Sequence, residues 1–363
     1  MKTKGGAGGV HSPAPFMLYC EKEGKGMRGS KWYIWLCLFA CVGILAGCGV
    51  VRENNDAAAE PRLVVYCALT SPFIESMINE FEKQTGVRVD LLPGDAAAYR
   101  SKLEEADVFF GIPLPMADAH PDDFRGYRSI NEYHIRPDFR QPTGRITCFA
   151  RSLNVILVNT NLLGQQRLNG YRDLLAPELT GQVVFPDPVH SAAGYRHLAN
   201  MLADMGGDTP AGWDFVRRFF RQAAPSVESA SAAAEAVANG RYTAALTSED
   251  AALTQVLAGA PVRVVYMQEG VRSYLHGVGI ASGTRNRLDA EKFVDFVTSK
   301  GTQFVLMRQL YYRPVRDDVS TIRPLIPVAE LPVPVEMTDF SWQQRDDRLS
   351  KFAAGMKAEG VKP

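Results

Sequence analysis

The residues in this chain best suited to chemistry are hydroxyl-bearing and tiny ones that stand directly ahead of helix-like runs. His190, Ser191, Ala192, Ala193 and Gly194 separate the strand-like "QVVFPDP" from a run in which Leu198, Met201, Leu202 and Met205 recur at i, i+3, i+4 and i+7, one face of an α-helix. The first N–H groups of such a helix have no partner within it and carry about half a positive charge, so a junction of small side chains can hold an oxyanion. The plain alternative is an N-cap at Ser191 followed by a loop of small residues. Ser229 and Ser231 lie in "VESASAAAEAV", where Ser231 precedes an Ala-rich run; a hydroxyl there can cap the helix and also donate to an oxyanion. Ser248 opens "SEDAALTQVLAG", with Glu249 and Asp250 in its first turn, where acids complement the helix dipole or, facing a cleft, meet an amine. Glu249 is expected to select the non-anionic end of a solute.

These junctions need strands and helices in alternation to position them. "RLVVYCAL" reads as a strand, and "TSPFIESMINEFEKQTG" as a helix with Phe73, Ile74, Met77, Ile78 and Phe81 on one face, started at Ser71 before Pro72 and ended at Gly86. "VRVDLLP" gives a second strand, "AAAYRSKLEEA" a helix and "DVFFG" a third strand, the β-α-β-α-β order of a parallel sheet. Ligands on such sheets lie beyond the strand C-termini, which places Ala68, Leu69, Thr70 and Ser71, and Phe110 and Gly111, at a mouth. A second alternating series runs from "QVVFPDP" to "SEDAALTQVLAG", and "RLDAEKFVDFVTSKGTQFVLMRQLYYRPVR" holds two helical segments and a turn.

The 363 residues allow about two domains, and 46% hydrophobic content suits globular cores. Lys plus Arg equals Asp plus Glu at 40 each, and no Cys/His group has zinc spacing, so nucleic-acid binding and a zinc module are disfavoured. At the N-terminus, "MRGSKWYIWLCLFACVGILAGC" sets Arg28 and Lys31 ahead of an apolar run and small residues before Cys48, the layout of a secretion signal. Leu45-Ala46-Gly47-Cys48 resembles the bacterial lipobox. That resemblance implies a signal peptide over 27–47, a lipid on Cys48 anchoring the chain to a membrane, and a tether over 48–60; the rival is a transmembrane anchor. Residues 1–26 read as a misassigned start. Of the thiols, Cys67 and Cys148 would remain after processing, either bridged or buried and free.

From Arg62 to about Val319, the order of elements resembles the extracellular solute-binding proteins of bacterial ABC importers, in the branch of ferric-ion, phosphorylated-sugar and organophosphonate binders. "LVVYCALTSPFIESMINEFEKQTGVRVDLL", "ADVFFG", "ILVNTNLL", "GVGIASGTRNRLDAEKFVDFVTSKGTQFVL" and "YYRPVRDDV" carry it. It implies an α/β, type II periplasmic-binding-protein-like fold of two lobes joined by crossing hinge strands: an N-lobe of 61–155 plus 270–325, a C-lobe of 156–269, and a C-terminal extension of 326–363. It further implies a small anionic, phosphate- or phosphonate-containing solute, an inner-membrane permease as partner, a monomer in or beyond the periplasm, and no cofactor, metal or catalytic residue. Residues 191–194 would hold the oxyanion. The tyrosine pair expected near residues 248–250 in ferric binders is missing, which ranks iron second. Tyr311 and Tyr312 are assigned to packing in the closing turn, and His190 and His276 to hydrogen bonding.

Two other classes stay open on residues alone. A secreted hydrolase would need a nucleophile motif, but G-x-S-x-G, H-E-x-x-H and the phosphate loop are all absent. A lipid-anchored structural protein would need no motif at all.

Overall fold

The computed structural model describes residues 62–69, 71, 73–331, 333–337 and 344–358. Cys48, the signal-like segment, the tether and Thr70 lie outside them. Among the described residues, no helix is long and apolar enough to cross a membrane.

Strand β1 (Leu63–Cys67) leads into helix α1 (Phe73–Thr85) and strand β2 (Val89–Pro93), and β3 (Val108–Pro113) follows. β1 pairs in parallel with β2 on one side and β3 on the other, the crossover arrangement that the sequence order predicts. The segment between β2 and β3 departs from expectation: residues Ala96–Lys102 form a 3₁₀ helix rather than an α-helix. α1 buries Ile74, Met77, Ile78 and Phe81, the face its periodicity marks. Phe81 is fully buried and meets Phe293 edge-on at 5.1 Å, a contact on a side chain whose burial contributes about 2–3 kcal/mol.

Beyond β3 the sheet turns antiparallel. The short β4 (Phe124–Arg125) pairs with β9 (Val271–Ala281), which also lies between β3 and the long β5 (Ile146–Asn159). β5 changes partner along its length. Residues 146–153 pair with β9, whereas residues 154–158 pair with β7 (Ala244–Ser248) and residues 156–159 with β8 (Val262–Val265). β7 in turn pairs in parallel with β6 (Val183–Val184), so the order along the sheet is β2-β1-β3-β9-β5-β7-β6. β6 is short because Pro186 and Pro188 cannot donate to a ladder. Nearly all of β5 is buried, which is why its sequence reads as one apolar run.

Helices α2 (Ala192–Asp204), α3 (Pro210–Gln222), α4 (Ala230–Ala238) and α5 (Glu249–Leu257) cover the β6-β7 part. α2 buries Leu198, Met201 and Leu202 as the pattern requires. α4 begins one turn edge earlier than expected: Ser229, not Ser231, is its N-cap and accepts from the Ala232 N–H at 3.1 Å. Helices α6 (Arg287–Thr298) and α7 (Lys300–Leu310) pack near α1. The C-terminal segment adds β10 (Val335–Met337), parallel to β9, and α8 (Arg345–Ala358), whose Phe352 meets Phe220 of α3 at 4.7 Å. Cys67 and Cys148 are free and buried.

Candidate functional site

Three helix starts converge on one cavity of about 160 Å³, those of α2 at Ser191, α4 at Ser229 and α5 at Ser248. Facing them are Ala68 and Leu69 beyond β1, Asp95 and Ala96, Gly111 and Pro113 of β3, Tyr274 and His276 of β9, and Tyr312. Gly111 is a β-bulge residue with φ +90°; a Cβ there would stand 2.6 Å from Leu69, so glycine is what lets the two approach. A second hollow of about 520 Å³ shares Ser231, Asp250 and Tyr312 with the first.

The start of α2 is the most open of the three. Ser191 stands at its N-cap but its side chain caps no N–H. The N–H groups of residues 192–194 therefore keep the unmet donor capacity of a helix's first turn. One and a half turns on, Arg196 also lines the cavity; its guanidinium carbon lies 3.7 Å from the centroid of the Tyr274 ring. Its Nε is buried without a hydrogen-bond partner, and among the described residues no carboxylate stands within ion-pair distance of it. A cation near a helix N-terminus opposes the dipole, so this one is held by the π-face and the cavity rather than by a counter-ion.

Burial holds the ring-bearing titratable groups of the cavity wall in their neutral forms. Burial, and after it the Arg196 charge, pushes His276 down to about 3, and its Nε2 lies 3.2 Å from Ser152 Oγ. Burial pushes the Tyr274 phenol up to about 12 and that of Tyr312 well above the ordinary value. Asp250 has one carboxylate oxygen buried without a partner, and burial raises it to about 6, with a Ser248 hydrogen bond and Arg196 pulling the other way. Asp95 caps the Ala96–Lys102 turn by accepting from the Ala97 N–H, and Glu228 completes the acidic side.

Of the residues expected from sequence, Leu69, Gly111, Ser191, Ala193, Ser229, Ser231 and Ser248 come together here. Ser71 does not: its Oγ accepts from the Phe73 N–H at 3.2 Å and it borders the neighbouring hollow. His190 points outward with a 79% exposed side chain, its Nδ1 2.7 Å from Asp187 Oδ2. Gly194 serves packing, since a Cβ would fall 2.3 Å from the Pro186 carbonyl oxygen. Glu249 is the main correction. It is wholly buried and absent from the cavity wall; Arg313 grips both its oxygens at 2.7 Å and the Tyr266 hydroxyl donates to Oε1 at 2.6 Å. The carboxylate's lone pairs are spent inside the protein, so it is not available to select a solute.

The sequence pattern did not mark Arg196 or Tyr274 as cavity residues; it offered Asp250 beside Glu249 as a cleft-facing acid, and assigned Tyr312 to packing and His276 to hydrogen bonding. A signal for Arg196 existed: a lone cation in the second turn of an otherwise apolar helix start, where the dipole disfavours it.

A sequence profile of the bacterial extracellular solute-binding proteins matches residues 63–309, and the chain belongs to that family. The curated iron uptake protein A1 of Synechocystis is 26% identical over 258 residues, which span 65% of this chain and 71% of that one. Among solved structures, the periplasmic binding protein AfuA of Actinobacillus pleuropneumoniae, with fructose-6-phosphate bound, superposes with a TM-score of 0.75 at 23% identity over 82% of this chain and 99% of AfuA. Iron-bound HitA of Pseudomonas aeruginosa gives 0.70 at 19% identity over 81% and 99%. The fold is that of the type II periplasmic binding proteins.

Proposed function

We propose that the protein is the solute-binding component of a bacterial ABC importer, tethered outside the cytoplasm by a lipid on Cys48, and that it captures a small phosphate- or phosphonate-bearing solute for a membrane permease. The cavity lies between the part of the sheet containing β1, β2 and β3 and the part containing β6 and β7. In this reading the two parts are lobes that close on the solute, and closure excludes water and strengthens each hydrogen bond to its charge. The observation that carries the reading is the unpaired Arg196 guanidinium beside the uncapped start of α2, both on one cavity wall. An oxyanion placed there would receive charge-assisted bonds from the guanidinium and from backbone N–H groups. Asp95, Glu228 and Asp250 supply acceptors for hydroxyl or ammonium groups on the rest of the molecule.

One observation favours a second reading. Tyr274, His276 and Tyr312 follow one another along the same wall with ring centroids 5.1 and 4.9 Å apart, and phenolate and imidazole can ligate ferric ion. Burial disfavours the phenolates, and Arg196 already supplies a positive charge, so the anionic solute ranks first. Calorimetric titration with fructose 6-phosphate, an aminoalkylphosphonate, inorganic phosphate and ferric citrate tests both. Tight binding of a phosphorus compound without turnover is expected; tight ferric binding with a phenolate charge-transfer colour would reverse the order.

A further inference from the structure

We infer that α8, which lies beyond the stretch matched by the family, is a brace for the solute loop, and that Arg345 is its positioning residue. The inference rests on the reading of the α2 start as the anion site. Arg345 Nη2 donates to the Val189 carbonyl oxygen at 3.1 Å, two residues before the Ser191 N-cap. The same guanidinium stands 5.9 Å from the ring centroid of Tyr195, which lies in the first turn and a half of α2 and is 1% exposed. The Arg348 charge, one turn further along α8, acts on the Tyr195 phenol and pulls its pKa down against the upward push of burial.

The loop is therefore gripped from two sides. From within, Asp187 accepts from the Val189 N–H through Oδ1 at 2.7 Å and from the Ser191 N–H through its carbonyl at 2.8 Å. From without, the first turns of α8 hold Val189 and Tyr195. α8 is itself fixed, since Leu349, Phe352 and Met356 are buried in the same apolar cluster as α2 and α3, and Lys351 reaches Asp208 at 3.3 Å. A helix N-terminus binds an anion well only when its N–H groups are already aimed, because affinity is lost to any ordering that binding must complete. The grip on Val189 and Tyr195 is a means of aiming them in advance.

The test uses the full chain carrying Arg345→Ala or Arg345→Lys. Arg345 is partly exposed rather than part of the apolar core, so both variants should fold. In solute-free protein, amide hydrogen exchange in the peptide containing residues 188–196 should speed up in Arg345→Ala while the rest of the chain keeps its protection. Lysine, which still offers one donor to Val189, should recover part of the slowing. The dissociation constant for fructose 6-phosphate should rise roughly five- to twentyfold in Arg345→Ala and less in Arg345→Lys, because binding must then complete the ordering of a loop that Arg345 no longer holds. Unchanged exchange at 188–196, or a rise spread evenly over the whole chain, overturns the brace. If wild-type protein binds no phosphorus compound, the anion reading fails, and the exchange experiment still decides whether α8 orders the loop.

Discussion

The starts of α2 and α5 look alike in sequence, each a serine that follows a strand-like run and opens a helix, yet the structure uses them in opposite ways. At α2 the nearest charged side chain, Arg196, is left without a carboxylate and lines the cavity. At α5 the first charged side chain, Glu249, turns inward to Arg313, 64 residues away, and Tyr266, 17 residues away, and only Asp250 reaches the cavity. Successive helical residues differ by about 100° in direction, so a shift of one position decides whether a charge faces a solute or a core. The lesson is that a helix start advertises an anion site only when its side-chain charges are not already spent on the protein.

The sharpest way to break this contrast is at Glu249. Glu249→Gln leaves Arg313 buried without its full counter-charge and should destabilise the fold by about 3–5 kcal/mol in chemical denaturation, with little direct effect on the solute. A stable variant with lost affinity would show that the two helix starts do the same work after all.

Acid sharpens the account of α2. His197 is buried in that helix, with the Tyr171 hydroxyl 2.9 Å from Nδ1 and the Thr247 carbonyl 2.9 Å from Nε2, and burial pushes it down to about 4. Its folded pKa lies below the unfolded value, so between about pH 4 and 6.5 the folded state binds fewer protons than the unfolded state and stability rises with pH. Its contribution is present above about pH 6.5 and is lost as pH falls to 4, on the order of 3 kcal/mol. Asp250, raised to about 6, acts in the opposite sense: its contribution is whole below about pH 4 and lost as pH rises through 6. His197→Gln should therefore flatten the acid limb of a stability-against-pH curve; an unchanged limb would remove His197 from the account.

The smallest effect compares caps. Ser229→Ala removes a bond to the Ala232 N–H and should cost about 1 kcal/mol, whereas Ser191→Ala removes no capping bond and should cost only a few tenths. Equal losses in thermal unfolding would mean that Ser191 caps α2 in solution.

Much of the fold was legible because it rests on local periodicity. The apolar face of α1, the Leu198-Met201-Leu202 face of α2 and the three parallel strands follow from residue spacing alone. The change of partner within β5 was not legible to the residue, because both halves of that strand are equally apolar. In the site, Ser191, Ser229 and Ser248 could be read as helix starts, and Gly111 as the end of a strand. Glu249 could not be read correctly, since its partners lie far along the chain. Arg196, Tyr274 and Tyr312 come from three distant elements that only the folded sheet brings onto one wall.

If Arg196 and the start of α2 hold the solute's anionic end, calorimetric titration of Arg196→Met with the phosphorus compound that wild-type protein binds best will show it. The expected result is a roughly ten- to hundredfold weaker dissociation constant, the worth of a charge-assisted hydrogen bond, with a stability loss of no more than about 1–2 kcal/mol from the lost cation–π contact, since no ion pair is broken. An unaltered dissociation constant in a folded Arg196→Met protein would contradict it and move the anion's position away from α2.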